Sequence, residues 1–267
     1  MLRLVSWNIG LRTEAIRALR KSNVDVALLQ EVRVSPEAWE REHYDRGAGV
    51  VRLSDRVTLV PFRNIPQGRR PASDEIAVSA PGTLAAAQVV PGVGHPFVAV
   101  SVYARWEKPH PSTPTNWGVG YADAMAHRAI SDLSTFIGHI DPSTHRILVA
   151  GDFNTIRGAT DANRLALPAR DRSVFARFEA LGFVSLGPDY PAGRRAEPTP
   201  SGLPVDTANV PTYHTTRQRP ATAANQLDYV FASRGFHECV SARALNEPEE
   251  WGPSDHCRIG IEVDTLR

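Results

Sequence analysis

A series of short apolar runs rich in β-branched residues constrains this chain more than any other feature. They are Leu2–Trp7, Val24–Leu29, Arg56–Val60, Glu75–Ser79, Phe97–Tyr103, Arg146–Ala150, Leu227–Ala232 and Arg258–Val263. Runs of this length and composition read as strands. Helical patterns stand between only some of them. Leu11–Lys21 sets Ile16 and Leu19 beside charge, Ala122–Ile140 carries Ala126, Ile130, Leu133 and Ile137 at helical spacing, and Arg172–Leu181 is closed by Gly182, where a left-handed cap is usual. The opening strand–helix–strand unit predicts a parallel pair joined by a right-handed crossover. The later strands follow one another closely, which predicts antiparallel pairing. Mixed sheets with helices outside are the expected result, an α/β fold.

The chain has 267 residues, of which 42% are apolar, enough for a sizeable core and too many for a disordered chain. Two stretches rich in proline and polar residues, 104–120 and 187–226, have strands that must pair on both sides. They read as functional surface loops, and residues 1–267 as a single domain. The net charge of +1 argues against coating nucleic acid by bulk electrostatics, but not against a local cationic groove. Of the 30 basic residues 28 are arginine, for which coding bias is the plainest explanation. Cys239 and Cys257 lack metal-knuckle spacing, and Cys257 reads as a small buried hydrophobe. With neither a signal-like N-terminus nor a membrane-length apolar run, the expectation is a soluble, cytoplasmic protein, monomeric and without membrane partners.

Polar residues stand where a strand core should not want them. Asn8 ends the first run and Glu31 the second; Asp152 and Asn154 follow Ile147–Gly151; Asp228 lies inside the run Leu227–Ala232; Asp255 and His256 precede the last run. Alternation puts Asp152 and Asn154 on one side if the chain stays extended there. Several carboxylates with few nearby histidines suit a hard, oxygen-preferring cation, Mg²⁺ or Mn²⁺. One histidine beside a carboxylate suits acid–base work or transition-state stabilisation. Together they equip a site for metal-assisted attack of water on phosphorus. After Tyr103 come Arg105, Trp106, Lys108, His110 and Trp117, suited to stacking a base and holding a phosphate. Against this, Trp106 and Trp117 could merely pin a proline-rich loop. Arg157, Arg164, Arg170 and Arg172 follow Asn154, and Arg194, Arg195, Arg217 and Arg219 precede Asp228; bordering one mouth, they would make a cationic rim.

Six segments in order, Ser6-Trp-Asn8, Leu29-Gln-Glu31, Ser101-Val-Tyr103, Gly151-Asp-Phe-Asn154, Gln226-Leu-Asp228-Tyr and Ser254-Asp-His256-Cys257, resemble the endonuclease/exonuclease/phosphatase superfamily with its deoxyribonuclease I-like fold. The opening and the Ser-Asp-His-Cys ending are most similar to the exonuclease III and apurinic-endonuclease branch. The resemblance implies a four-layer α/β sandwich: two mixed sheets face to face with helices outside. It implies Glu31 as principal metal ligand, with Asn8 and Asp255 lining the same site. Asp152 would activate or position water, and Asn154 would orient it or hold a phosphate oxygen. His256, oriented by Asp228, would stabilise the pentacoordinate phosphate; Tyr103 would contact phosphate or assist the leaving group. Arg105, Trp106, Arg157 and Arg217 are the candidate substrate contacts. Three segments depart from the branch where it contacts DNA: Asp74–Ser79, Ala104-Arg-Trp106 and Pro211–Arg217. The leading expectation is a metal-dependent nuclease acting on DNA or RNA. The alternatives are a phosphatase for a small or lipid-derived phosphoester, and a catalytically silent binding module.

Overall fold

The computed structural model describes residues 1–33, 47–113, 121–138, 141–160 and 167–267. Strands β1 (Leu2–Asn8), β2 (Val26–Val32) and β3 (Gly47–Arg52) pair in sequence, and β12 (Val240–Leu245) and β13 (Arg258–Val263) complete a five-stranded sheet in the order β12-β13-β1-β2-β3. The second sheet has six strands: β4 (Val57–Pro61), β7 (Leu84–Pro91), β8 (Phe97–Tyr103), β9 (Ile147–Asp152), β10 (Phe183–Gly187) and β11 (Asp228–Ser233), ordered β10-β11-β9-β8-β7-β4. A short parallel pair, β5 (Arg63–Pro66) and β6 (Glu75–Val78), stands beside it. The expected parallel pairing of β1 with β2 is present, across helix α1 (Thr13–Arg20).

The expectation that all later strands run antiparallel is corrected. Strand β8 pairs with β9 in parallel, because helix α2 (Asp123–Ile137) supplies a crossover between them. Helix α3 (Pro168–Ala180) begins earlier than the apolar pattern indicated, since Pro168 is suited to a first helical position that needs no N–H donor. Gly182 follows it with a φ of +87°, the left-handed stop read from the sequence. Strands β3, β5, β7, β10 and β12 were not among the runs read from the sequence.

The side-chain alternation of strands sorts residues into layers. Leu4 of β1 and Leu28 of β2 face Ala99, Leu148, Ala150 and Val230 of the other sheet, making the inter-sheet core. Their neighbours Val5, Trp7, Ala27 and Leu29 face outward onto Ala15 and Leu19 of α1. On the far side Val100, Val102, Val149 and Phe231 pack under Met125, Ala126, Ile130 and Leu133 of α2 and Val174 and Phe178 of α3. The result is the four-layer α/β sandwich expected. The same parity turns Ser6, Asn8, Gln30, Ser101, Tyr103, Asp152 and Asp228 toward the inter-sheet layer.

Candidate active site

One end of the inter-sheet layer is polar. One layer below the rim, buried Gln30 donates from Nε2 to the Ser101 Oγ at 2.9 Å and the Leu28 carbonyl at 3.1 Å, while Ser101 donates to the Leu29 carbonyl at 2.8 Å. These bonds tie β2 to β8 across the two sheets. Above them, at or next to the strand termini, stand Asn8, Glu31, Tyr103, Asp152 and Asp228.

Local backbone aims these groups. Glu31 has a φ of +51°, in the left-handed region uncommon for a side chain of its size, where the β2–β3 register shifts between Leu29 and Val32. Asn154 has a φ of +49°. This corrects the reading that Asp152 and Asn154 share a side by strand alternation. The strand stops at Asp152 and the chain curls back, so the Asn154 amide donates to Asp152 Oδ1 at 3.0 Å and its Nδ2 to Oδ2 at 2.9 Å. Just before, a Cβ on Gly151 would lie 1.9 Å from the Val102 carbonyl oxygen, so only glycine lets β9 approach β8 here.

Asn8 donates from Nδ2 to Asp152 Oδ2 at 2.9 Å and to Glu31 Oε1 at 3.2 Å, and the Tyr103 hydroxyl donates to the same Glu31 oxygen at 3.2 Å. The buried His256 ring bonds through Nδ1 to Asp228 Oδ2 at 2.8 Å, and its Nε2 lies 3.8 Å from Asp152 Oδ2. Burial pushes the His256 imidazole down. The Asp228 and Asp152 carboxylates, the hydrogen bond to Asp228 and nearby Asp255 outweigh that effect and hold it well above the usual histidine range. The two acidic groups thus favour the charged form of the ring. Burial pushes the Asp152 carboxyl up, against the pull of His256. Asp255 sits at the edge with Arg12 3.7 Å away.

Two supports come from residues quoted in the motifs but given no role there. The Trp7 indole donates to the His256 carbonyl at 2.9 Å, and Ser254 Oγ donates to the Asn8 carbonyl at 2.7 Å while accepting from the His256 amide at 3.2 Å. Thr212 Oγ1 accepts from the amides of Leu227 and Asp228 at 2.9 and 3.1 Å, fixing the start of β11.

A cavity of about 330 Å³ opens over these groups, with Glu31, Asp152, Asp255 and His256 on its floor. Trp106, Ile156, Tyr213 and Leu227 form an apolar wall, and Thr215 and Asn225 add polar groups. Sequence reasoning placed Trp106 here but missed Ile156, Tyr213, Thr215, Asn225 and Leu227 as lining residues; the only signal was the short Pro211–Arg217 segment, read as a reduced aromatic loop.

The other candidate contacts lie elsewhere. Arg105 reaches the Pro81 carbonyl at 3.5 Å and Glu107 at 3.9 Å, Arg157 pairs with Asp189, and Arg217 is exposed; none of them lines the cavity. The rim of free arginines is reduced: Arg170 pairs with Asp123, distant in sequence, at 2.7 Å, and Arg195 stacks on nearby Tyr190 at 4.0 Å. Lys108 and His110 are exposed away from the cavity, and Trp117 and Arg164 lie outside the described residues.

The residues fit a divalent cation. Asp228 Oδ1 is buried with no donor among the described residues, and the neighbouring Asp152 lines the cavity. Glu31 and Asp255 add carboxylates on the same cavity floor, a donor set of hard oxygens.

The sequence profile of the Endonuclease/Exonuclease/phosphatase family matches residues 5–256. The chain belongs to that family and is a phosphoesterase by its membership. Comparison with curated protein sequences finds no match. Among solved structures the chain is similar to a 3'-5' exonuclease (NExo) of Neisseria meningitidis, at 16% identity over 98% of this chain and 100% of that one, with a TM-score of 0.62. An AP endonuclease of Archaeoglobus fulgidus gives 16% identity, 99% and 100% coverage, and a TM-score of 0.61. The APE2 catalytic domain of Xenopus laevis gives 15% identity, 98% and 91% coverage, and a TM-score of 0.63. At these identities the likeness is one of fold. No described helix is long and apolar enough to cross a membrane.

Proposed function

We propose that the protein is a divalent-metal-dependent phosphodiester hydrolase, a nuclease acting on DNA or RNA as one domain. The observation that carries this reading is the buried His256 ring set between Asp228, 2.8 Å from Nδ1, and Asp152, 3.8 Å from Nε2, on the floor of a cavity that Glu31 and Asp255 also line. Support also comes from the structural neighbours, which include an exonuclease, AP endonucleases and, for the Neisseria protein, a 3' phosphatase bound to product DNA hairpin.

Glu31, Asp255 and Asn8 would hold the metal, Mg²⁺ or Mn²⁺. Bound there, it would supply positive charge against the phosphate oxygens. The chain's own residues do the rest. Asp152, fixed by N–H groups of Asn8 and Asn154, presents a carboxylate that takes a proton from the attacking water. His256, protonated on both nitrogens, would turn Nε2–H toward the charge that develops on the phosphoryl oxygens, while Asp228 accepts from Nδ1–H and orients the ring. Tyr103 steadies Glu31 through its hydroxyl.

A second reading, hydrolysis of a small phosphoester, is favoured by the modest cavity and by the ion pairing of Arg157 and Arg170. An EDTA-controlled panel of duplex, single strand, RNA and small phosphomonoesters tests both. Metal-dependent cleavage of polynucleotide is expected; turnover of phosphomonoesters alone overturns the nuclease in favour of the phosphatase.

A further inference from the structure

Trp106 is a large apolar side chain left 40% exposed beside the reactive floor. It is not on a loose strand of chain. The Ala104 amide bonds the Asp152 carbonyl at 2.8 Å, and residues Glu107 and Tyr121 exchange two backbone bonds at 3.0 and 2.7 Å. The backbone is thus clamped on both sides of the indole. Keeping such a ring wet forgoes hydrophobic free energy in the unliganded protein, which a ligand covering it would recover.

Two further features say what shape of ligand covers it. Tyr213 stands in the same apolar wall, its ring packed 4.9 Å from that of His256. Asn225 is fixed through its carbonyl, which accepts from the Thr212 and Tyr213 amides at 2.8 and 3.1 Å. Its side-chain amide makes no hydrogen bond with any described residue. An aromatic wall and an amide with both a donor and an acceptor edge match a flat heteroaromatic ring with polar edges. A polyol phosphate or an acyl chain would satisfy one of these and waste the other. The cavity, about 330 Å³, lies at the low end of the roughly 300–1,000 Å³ typical of small-ligand sites. It has room for one such unit.

We infer that Trp106, with Asn225, forms a nucleobase subsite, so that the nucleotide carrying the scissile phosphate is bound with its base unstacked. This rests on the phosphodiesterase reading for its place in catalysis, though not for its binding. It makes terminal and single-stranded nucleotides the favoured substrates, because an intact duplex must first give up stacking and pairing.

The test is calorimetric titration of the whole protein with adenosine monophosphate and, as its counterpart without a base, ribose 5-phosphate, each with Mg²⁺ present. The nucleotide is expected to bind at least about tenfold more tightly. Trp106→Ala should weaken nucleotide binding by about 5- to 150-fold, the range for loss of one base–aromatic stack, and leave ribose 5-phosphate unchanged. Trp106→Phe should retain most of the affinity. Asn225→Ala should lower the preference among bases more than the affinity for any one. Equal affinities for the two ligands, no binding of either, or an equal loss for both in Trp106→Ala overturns the subsite. If the nucleotide binds as expected while no phosphoester is cleaved, the hydrolase reading fails and the subsite stands.

Discussion

Glu75 and Asp228 are both carboxylates buried at strand ends, and their surroundings are opposite. Glu75 accepts a bidentate pair from Arg69 at 2.7 and 2.8 Å, a further guanidinium from Arg63, and the Ala72 amide at 3.0 Å. The Arg69 hydrogen bond, then the Ala72 amide, hold its carboxyl down at about 2. Asp228 receives one partner, a histidine, and leaves Oδ1 with none among the described residues. A carboxylate that serves only structure is saturated with donors, since an unmet buried lone pair costs free energy. The acidic groups proposed to act in hydrolysis are left with capacity to spare, and they crowd one another. The cost of that crowding is carried by the rest of the sandwich.

The comparison is broken if activity and stability fail to separate. Asp152→Ala should lower kcat by about 100-fold or more with the far-ultraviolet dichroism unchanged, and His256→Ala by a similar factor, in steady-state hydrolysis. Retained turnover in either would remove these residues from the reaction. Glu75→Gln should do the reverse, keeping kcat within about twofold while lowering the urea midpoint at pH 7.

Metal binding gives the next largest effect. At about 100 times its Kd, Mg²⁺ should add about 2.7 kcal/mol to stability, some 5–10 °C in Tm, reversed by EDTA. Glu31→Gln should abolish most of that shift, whereas Glu75→Gln should leave it intact.

The smallest effect is in acid. The carboxyl of Glu75 is lowered by folding from 4.5 to about 2, so its contribution is present above pH 4.5 and is lost as pH falls toward 2. The difference in urea midpoint between the parent and Glu75→Gln should therefore shrink between pH 5 and pH 2.5. A gap that stayed constant would mean the arginine pairs contribute nothing through charge.

Much of the site was legible because a strand's period of two is rigid. Once Leu4 and Leu28 face the core, Asn8 and Gln30 must face the same layer, and the polar ends of β1, β8, β9 and β11 converge. The strands missed were those with weak β-forming composition. Strand β7 carries three consecutive alanines, β3 opens Gly-Ala-Gly, and β12 places Ser and Arg on an edge. The cavity wall was illegible for another reason. Tyr213, Thr215 and Asn225 come from an irregular segment that no periodicity describes, placed by bonds such as Thr212 to Asp228 and Gln226 Nε2 to the Pro188 carbonyl at 2.8 Å. The pairing of Arg157 and Arg170 was illegible because Asp189 and Asp123 become their neighbours only in the folded chain.

The hydrogen bond from Trp7 to the His256 carbonyl joins residues 249 apart in the chain, and β13 lies between β12 and β1 in its sheet. A chain made from its N-terminus at about 5–20 residues per second exposes one edge of β1 for tens of seconds before its neighbour emerges. During that interval the partial product has neither His256 nor Asp255. The groups proposed to act on phosphate are thus completed only when the last strand has been made.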